Sequence, residues 1–222
     1  IYGCEAWAPT KSRFVNYLVQ RVDTIVCISE VTKKRFLLWS RVQPEKISIL
    51  ANAIHLELYG QTSKKNEKLL KRYGLEGRTI LMTLGRIAAE ERYKGFDEIL
   101  EILPILSKKI ANVSYLIVGS GTDTERLVEK ARDLGVSNRV TFSGLIAEAD
   151  KAEHFRLADV FVMPSYGEGF GFVFLEAMAC GIPVIGSKVD GGREALRGGL
   201  LGGLVDPKNP SEIINAIKDA LS

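Results

Sequence analysis

The chain has 222 residues, of which 46% are hydrophobic and 26% are charged, and its formal net charge is +3. This balance is typical of a soluble globular protein, and the slight positive charge neither demands nor excludes an anionic partner. Three scattered cysteines and two histidines argue against a disulfide framework and a zinc site, and they favour a reducing, cytoplasmic compartment. The apolar runs are too short to span a membrane.

Short apolar runs rich in β-branched residues alternate with longer amphipathic stretches along the chain. The predicted strands are TIVCIS (24–29), KISIL (46–50), TILMTLG (79–85), SYLIVG (114–119), RVTFSG (139–144), DVFVMP (159–164), IPVIGS (182–187) and GLV (203–205). Continuous apolar strands of this kind are typical of a parallel sheet that is covered on both faces.

Helical patterns lie between these strands. Apolar residues repeat at helical spacing from Phe96 to Leu106, and Pro104 within that run predicts a kink or an early end of the helix. Further helices are predicted over 125–134, with Thr122 or Asp123 as N-cap, and over 210–221. The alternation of strand and helix predicts an α/β fold, a Rossmann-like doubly wound parallel sheet.

A polar, irregular segment, NAIHLELYGQTSKKN, divides the chain after the second predicted strand. Residues 1–52 hold too few elements for an independent core, so they are assigned to the end of a larger, truncated domain. Residues 53–65 are predicted to be a linker and residues 66–222 a complete α/β domain. Because the first residue is Ile rather than Met, we expect the chain to be a piece of a longer protein.

Charged and glycine-rich residues follow the predicted strands at the end of the sheet where ligands of open parallel sheets bind. Arg86 follows the strand 79–85, and Lys94 lies shortly beyond it. An arginine fork and a lysine ammonium together can clamp a diphosphate. A charged, solvated loop is the alternative, since Glu90, Glu91 and Arg92 lie between the two cations.

The segment SYGEGFG follows the strand 159–164. Its glycines allow the main chain to approach a ligand and the next helix to aim its N-terminus at an anion, or they simply form a tight turn. In that helix Glu176 stands among apolar neighbours, and a buried carboxylate needs a partner. Ribose hydroxyls and a structural salt bridge would both satisfy it.

Other motifs in the chain point less clearly to chemistry. GSGTDT at 119–124 lacks the third glycine of the dinucleotide fingerprint, so we interpret it as a turn and N-cap and disfavour a nicotinamide-dependent dehydrogenase. The sequence has no Asp-x-Asp pair of the kind that holds a metal on a nucleotide diphosphate. His55 and His154 are interpreted as structural or surface residues and Cys180 as a packing residue.

The stretch PSYGEGFGFVFLEAMACGIPVIGSKVDGGREAL resembles the E-x7-E region of retaining family-4 glycosyltransferases of the GT-B fold. Gly85-Arg86 and Lys94-Gly95 are similar to the donor-diphosphate clamp of that family. The segments VTFSG, LADVFVMPS and GGLVDP fall in the family's order, and the earlier segment ISILANAI resembles the strand that leads into the family's interdomain linker. The resemblance therefore covers nearly the whole chain. It implies a donor-binding C-terminal domain over 66–222 and, over 1–52, the last elements of an acceptor-side N-terminal domain.

The resemblance also implies roles for the matching residues. Glu168 would contact hydroxyls of the donor sugar, and Glu176 would hold the ribose diol. Arg86 and Lys94 would neutralise the leaving diphosphate, so that Glu168, Arg86 and Lys94 are the implied catalytic residues. Further donor contacts are implied for Gly85, for the main chain of Gly144, Leu145 and Ile146 near the base, and for Gly169, Phe170, Gly171 and Val173.

By this resemblance the protein is a hexosyltransferase of glycan biosynthesis. It would move a sugar from a UDP-, GDP- or ADP-linked donor to a glycan, lipid-linked or small-molecule acceptor, with retention of anomeric configuration. No metal or other cofactor is expected, because fixed cations and main-chain amides take that role, and no nucleic-acid partner is expected. Peripheral contact of the N-terminal domain with the inner face of the membrane is a further expectation. An ordinary solvated face is the alternative for the basic residues Lys11, Arg13, Arg21, Lys33, Lys34 and Arg35.

Two departures from the family pattern concern the proposed site. Tyr2 stands where the family often has the histidine of HGxE, and the segment AAEERY lengthens the spacing between Arg86 and Lys94. The glycine-rich loop of the N-terminal domain is not in this sequence, so weak donor binding and little transfer are expected of the chain alone. A related nucleotide-sugar epimerase and a non-catalytic nucleotide-sugar-binding module are the alternative functions.

Overall fold

The computed structural model describes residues 1–60 and 64–222. Its described strands form one sheet of two strands and one of six, and all the pairings between named strands are parallel. The strands are β1 (Ile25–Cys27), β2 (Ile47–Ile49), β3 (Thr79–Leu84), β4 (Val113–Val118), β5 (Val140–Phe142), β6 (Val160–Val162), β7 (Val184–Ser187) and β8 (Gly203–Val205). Each lies within the predicted run or one residue from it.

Helices cover both faces of the six-stranded sheet. Two α-helices lie in the first 52 residues, α1 (Arg13–Val19) and α2 (Glu30–Ser40). The remaining described α-helices are α3 (Glu67–Tyr73), α4 (Phe96–Lys109), α5 (Thr124–Asp133), α6 (Lys151–Phe155), α7 (Phe172–Ala179), α8 (Gly192–Ala195) and α9 (Pro210–Ala220). One buried cluster includes residues of α4, α5 and α9, and another includes residues of α6, α7 and α8. The predicted doubly wound α/β fold is therefore confirmed.

The six strands lie in the order β5-β4-β3-β6-β7-β8. The chain builds outward from β3 through β4 to β5, and then crosses to β6 on the other side of β3. The strand order therefore reverses between β3 and β6, and in such sheets this switch point is where ligands bind at the carboxyl ends.

The strands β1 and β2 form a separate sheet, packed with α2 around a small core of Ala6, Cys27, Phe36, Val42 and Ile47. The boundaries predicted at 1–52, 53–65 and 66–222 stay a prediction. Within the predicted linker Leu56–Leu58 form a 3-10 turn, and positions 61–63 lie outside the described residues.

The small sheet is fastened to the larger one through the N-terminus of α2. The carboxylate of Glu194, in α8, accepts main-chain hydrogen bonds from Glu30 at 2.7 Å and from Val31 at 2.8 Å. The Arg35 guanidinium donates to the carbonyl of Val189, which follows β7, at 3.3 Å. An acidic side chain thus satisfies free N–H groups of a helix that belongs to the other sheet.

Two local expectations were met only in part: the early helix end predicted at Pro104 is wrong, and the predicted N-cap of α5 is confirmed without its capping bond. The helix α4 runs through Pro104 to Lys109, because buried apolar residues on both sides of the proline, such as Leu100 and Leu106, hold the helix on the sheet. Asp123 does stand at the N-cap of α5, but its side chain makes no capping bond. Its carboxylate instead accepts hydrogen bonds from Arg92 and Arg126.

Candidate nucleotide-sugar site

A cavity of about 380 Å³ opens at the carboxyl ends of β3, β4 and β5. Its lining comes from three strand ends and the start of α6, namely Leu84, Gly85, Arg86, Val118, Gly119, Ser120, Leu145, Ile146, Ala147, Glu148 and Lys151. Gly119 has a φ of 131°, and a Cβ there would lie 2.0 Å from the carbonyl oxygen of Gly85. Only a glycine at this position lets the ends of β3 and β4 approach so closely.

Four of the predicted donor contacts line this cavity: Gly85, Arg86, Leu145 and Ile146. Gly144 lies directly beside it, since its carbonyl accepts the N–H of Gly119 at 3.1 Å. The side chain of Leu145 is 84% exposed, which is a large apolar surface for a residue at a cavity edge.

Arg86 and Lys94 come together as predicted, but a carboxylate of the chain lies between them. The Arg86 guanidinium hydrogen-bonds Oε1 of Glu91, and Lys94 Nζ lies 2.9 Å from Oε2 of the same carboxylate. The Arg86 side chain is 72% exposed, whereas that of Lys94 is 16% exposed and packs against Gly85. The pair forms a cationic clamp with one face open to solvent.

The carboxylate of Glu91 is ionised at neutral pH in this arrangement. Burial alone raises its pKa, but the contacts with Arg86 and Lys94 outweigh burial and hold the pKa of Glu91 below its usual value. Sequence reasoning treated Glu91 as a charge in a solvated loop and missed this contact.

Glu168 lies close enough to Lys94 to be affected by its charge. Burial raises the pKa of Glu168, although the positive charge of Lys94 and the main-chain N–H groups of Gly169 and Phe170 act in the opposite direction. The structure therefore brings Glu168 into the same charged cluster as the clamp. Its side chain does not line the 380 Å³ cavity itself.

The loop that carries Glu168 is held by Asp190, a fully buried residue after β7. The Asp190 carboxylate accepts hydrogen bonds from the Ser165 hydroxyl at 2.7 Å, from the Glu168 N–H at 2.9 Å and from the Gly192 N–H at 3.0 Å. Burial raises the pKa of Asp190 to about 6, and these three hydrogen bonds act against that rise. The sequence signal for this residue was a carboxylate followed by two glycines at a strand end, in KVDGG.

Main chains from three parts of the sequence touch at Gly169. A Cβ on Gly169 would lie 2.2 Å from the carbonyl oxygen of Tyr2, and a Cβ on Gly191 would lie 2.0 Å from the carbonyl oxygen of Gly169. The Glu5 carboxylate fixes the N-terminal segment that takes part in this contact, because it accepts the N–H groups of Tyr2 at 2.7 Å and Gly3 at 2.8 Å. The Tyr2 side chain, at the family's histidine position, is 71% exposed.

The helix α7 follows directly from this loop. Gly171 stands at its N-cap with a φ of 91°, and a Cβ there would collide with the ring of Phe174 at 2.5 Å. Of the predicted donor contacts, Phe170 belongs to the buried core and Val173 packs against it. Their side chains therefore serve packing.

Glu176, in α7, is 5% exposed and is partnered through one of its two oxygens. Its Oε1 accepts the Tyr59 hydroxyl at 2.8 Å and Lys151 Nζ at 2.7 Å. Its Oε2 is buried and has no hydrogen-bond partner among the residues that the structure describes. Burial and the hydrogen bond to this carboxylate raise the pKa of Tyr59.

Lys151 connects this buried carboxylate to the cavity, because it contacts Glu176 and also lines the cavity wall. The salt bridge considered from sequence is thus present, while one carboxylate oxygen keeps its capacity to accept a ligand hydroxyl. Neither Tyr59 nor Lys151 was identified from the sequence.

The two histidines do not contribute to this cluster. His154 is buried, with one ring nitrogen 2.9 Å from the Tyr73 hydroxyl and the other 2.8 Å from the Asp150 carbonyl, and His55 is exposed. Within residues 1–60 and 64–222, no three His, Cys, Asp or Glu side chains are grouped so that they could hold a metal ion. In the same ranges, no helix has the length and apolarity needed to cross a membrane.

The separate small sheet and the doubly wound six-stranded parallel sheet define a protein of the GT-B fold. The family model of the glycosyl transferases group 1 matches residues 63–222, and the chain belongs to that family. The chain spans about half the length of the curated relatives it matches.

Two relatives and one solved structure illustrate the similarity. The chain is 31% identical over 208 residues to a GDP-mannose-dependent alpha-(1-6)-phosphatidylinositol monomannoside mannosyltransferase of Mycolicibacterium smegmatis, covering 90% of this chain and 53% of the relative. It is 29% identical over 220 residues to a D-inositol 3-phosphate glycosyltransferase of a Mycobacterium species, and the match covers 96% of this chain and 48% of the relative. Crystalline Anabaena HepE in complex with UDP and glucose shares the fold, with a TM-score of 0.83, 24% identity and coverage of 95% and 56%.

Proposed function

We propose that this chain binds the nucleotide-sugar donor of a glycosyltransferase. The observation that carries the proposal is the cationic clamp of Arg86 and Lys94 beside a cavity at the carboxyl ends of β3, β4 and β5, with the carboxylate of Glu168 within electrostatic range of Lys94. In the whole protein the activity is transfer of the donor sugar to an acceptor hydroxyl.

The cavity supplies the nucleoside end of this site. Main chain at Gly144, Leu145 and Ile146 meets the base, and the apolar walls from β3 and β4 cover its ring faces. The unpartnered Oε2 of Glu176 accepts a ribose hydroxyl. A ribose that donates to this oxygen removes the cost of a buried acceptor without a donor.

The clamp supplies the diphosphate end. Arg86 offers a planar fork of N–H donors and Lys94 a compact ammonium, and together they stabilise the negative charge that develops as the nucleoside diphosphate leaves. Glu168, whose carboxylate is within electrostatic range of Lys94, binds hydroxyls of the departing sugar. This division of roles predicts that no divalent metal is needed, because the two fixed cations provide the compensating charge.

The relatives guide the choice of donor and acceptor to test. One relative is named for GDP-mannose and a phosphatidylinositol mannoside, another for D-inositol 3-phosphate. Hexose transfer, with retained configuration, to an inositol-containing or lipid-linked acceptor is accordingly the first activity to examine. Donor recognition is assigned to this chain, and acceptor recognition to the whole protein.

Thermal denaturation with UDP-, GDP- and ADP-hexoses tests the proposal. A bound donor raises the melting temperature by mass action. We expect one nucleotide class to raise it, with or without a metal chelator. We expect Arg86→Ala to lose most of that rise and Arg132→Ala, an exposed arginine in α5, to keep it. Equal rises in wild type and Arg86→Ala, or none with any donor, would overturn the assignment.

A second variant tests the sugar end separately. Glu168→Gln removes the charge beside Lys94 and leaves the cavity unchanged. We expect it to bind the free nucleoside diphosphate as wild type does but to lose the additional affinity for the sugar-linked form. If both ligands weaken equally, Glu168 acts on the clamp and not on the sugar.

A further inference from the structure

The segment between Arg86 and Lys94 carries a carboxylate, that of Glu91, which lies between these two cations. Residues Ala89–Lys94 form two short 3-10 turns, which break at Glu91 with φ −117° and ψ 24°. The Glu91 side chain is 12% exposed, and its two oxygens divide between Arg86 and Lys94. A carboxylate thus occupies the position between two cations where a donor phosphate group has to lie.

The main chain around Glu91 is anchored on its C-terminal side. Arg92 makes a two-pronged contact with Asp123, at 2.9 Å and 2.7 Å, and Asp123 also accepts Arg126 at 2.8 Å. The Tyr93 carbonyl accepts the N–H of Tyr166 at 2.9 Å.

The ring of Tyr93 adds a second constraint on this turn. It lies so close to Gly167 that a Cβ on the glycine would be 2.5 Å from Cγ of the tyrosine. The turn is therefore fixed both to α5 and to the loop of Glu168. The carboxylate of Glu91 can leave the clamp by rotation of its side chain, whereas removal of the whole turn would break these contacts.

The exchange of one anion for another is chemically balanced. Without an anion, Arg86 and Lys94 would be like charges held near each other, and an ionised carboxylate offsets that repulsion. A diphosphate brings more charge and more acceptor oxygens than one carboxylate, so it can replace Glu91 while satisfying both cations. The exposed side of Arg86 gives the incoming phosphate access to the clamp.

We propose that Glu91 is the resident counter-anion of the donor clamp, which the diphosphate of the donor displaces on binding and which returns to the clamp when the nucleoside diphosphate leaves. Glu91 contacts neither sugar nor base in this role. Because it competes for Arg86 and Lys94, it makes the site bind diphosphates more weakly than it would without Glu91. It also competes with the product, the nucleoside diphosphate, for the same two cations. The inference rests on the proposed function of Arg86 and Lys94.

Calorimetric titration of UDP, GDP, ADP and inorganic pyrophosphate into four proteins, namely wild type, Glu91→Gln, Glu90→Gln and Arg86→Ala, tests this proposal. Glu91→Gln keeps the shape of the side chain and removes its charge. Glu90→Gln makes the same charge change at the neighbouring exposed position. We expect Glu91→Gln to lower the Kd roughly fivefold, the order of magnitude of one partly exposed ion pair, and Glu90→Gln to change it less than twofold. The gain should be similar for pyrophosphate and for the nucleotide that binds.

The outcomes separate this inference from the function beneath it. If wild type binds and Arg86→Ala does not, but Glu91→Gln binds no more tightly than wild type, then Glu91 is not a competitor and the donor assignment still stands. If Arg86→Ala binds as wild type does, or if wild type binds none of the four ligands, both proposals fall. Melting temperatures of the free variants show whether Glu91→Gln is folded.

Discussion

The carboxylate of Glu194 in α8 accepts the main-chain N–H of Val31 in α2 over 2.8 Å, which fastens one sheet of the molecule to the other. The same carboxylate accepts the N–H of Glu30 at 2.7 Å. An acidic group at the N-terminus of a helix satisfies free donors and interacts favourably with the helix dipole. This contact is the clearest polar connection between α2 and the larger sheet.

Removing this contact should loosen α2 without disturbing the larger sheet. We expect Glu194→Ala to lower the free energy of unfolding by about 1 kcal/mol and Glu194→Gln by less, because the amide oxygen can still accept one of the N–H groups. Hydrogen exchange should accelerate at Glu30 and Val31 in the alanine variant. Glu125→Ala, at an exposed position of α5, serves as control. If the amides of Glu30 and Val31 exchange at the same rate in Glu194→Ala and in Glu125→Ala, the role of Glu194 is contradicted.

The two partners of Glu176 should differ in their contribution to stability. Tyr59→Phe removes one neutral donor and should cost about 1 kcal/mol of unfolding free energy. Lys151→Met leaves a carboxylate that is 6% exposed without its counter-charge and should cost about 3 kcal/mol. Urea denaturation of the two variants, with Lys68→Met at an exposed site as control, measures both values.

A double variant identifies the origin of the larger cost. If it comes from an uncompensated buried charge, Lys151→Met with Glu176→Gln should be more stable than Lys151→Met alone. A double variant that is less stable than the single one would mean that Lys151 acts through packing of its aliphatic stem.

The buried carboxylate of Asp190 should give the protein a measurable pH dependence. Its pKa is about 6 in the folded protein against an ordinary value of 3.8, so the folded state binds more protons than the unfolded state between those values. The contribution of Asp190 to the free energy of unfolding is therefore complete below about pH 4, falls as the pH rises, and is lost above about pH 6. The fall amounts to about 3 kcal/mol.

Asp190→Asn, which cannot titrate, isolates this contribution. Urea denaturation of both proteins from pH 4 to 8 gives the difference in unfolding free energy at each pH. We expect wild type to lose stability relative to the variant up to about pH 6, with a constant difference at higher pH. A difference that does not change with pH would show that Asp190 is ionised throughout. Other carboxylates titrate in both proteins and cancel in the comparison.

A single methyl group at the contact between Gly169 and Tyr2 should be poorly tolerated. The Cβ of Gly169→Ala would meet a carbonyl oxygen at 2.2 Å, and main-chain atoms on both sides have to move to accept it. We expect a loss of about 2 kcal/mol in unfolding free energy and weaker donor binding, because the loop of Glu168 moves with it. Gly203→Ala, whose Cβ would meet side-chain atoms at 3.4 Å or more, should be close to neutral.

The fold could be predicted, and the main elements of the candidate site proposed, because their sequence signals are local. The strand β4 is buried at all six positions, and apart from Ser114 its sequence is an apolar run. The alternation of such runs with amphipathic segments determines the fold class. The glycines and carboxylates of SYGEGFG and the pair Arg86 and Lys94 stand at strand ends, which parallel topology brings to one edge.

The contacts that complete the site depend on residues far apart in sequence. Tyr59 lies 117 positions from Glu176, and nothing in its neighbourhood indicates a buried hydroxyl. Glu90 and Glu91 are chemically alike, and the break between two 3-10 turns decides which of them points into the clamp. The early helix end expected at Pro104 is absent because the packing of α4 on the sheet outweighs the helix-breaking propensity of proline.

The glycine junction around Gly169 also limits how such a protein can be redesigned. Main chains from three distant parts of the sequence touch there with no space for a side chain. Gly169 and Gly191, next to Glu168, can therefore hardly be replaced by any other residue. In the proposed donor site, a change of sugar preference would therefore have to come from residues around this junction. Exposed positions of the turn at Ala89–Lys94, such as Glu90, can change without disturbing the junction.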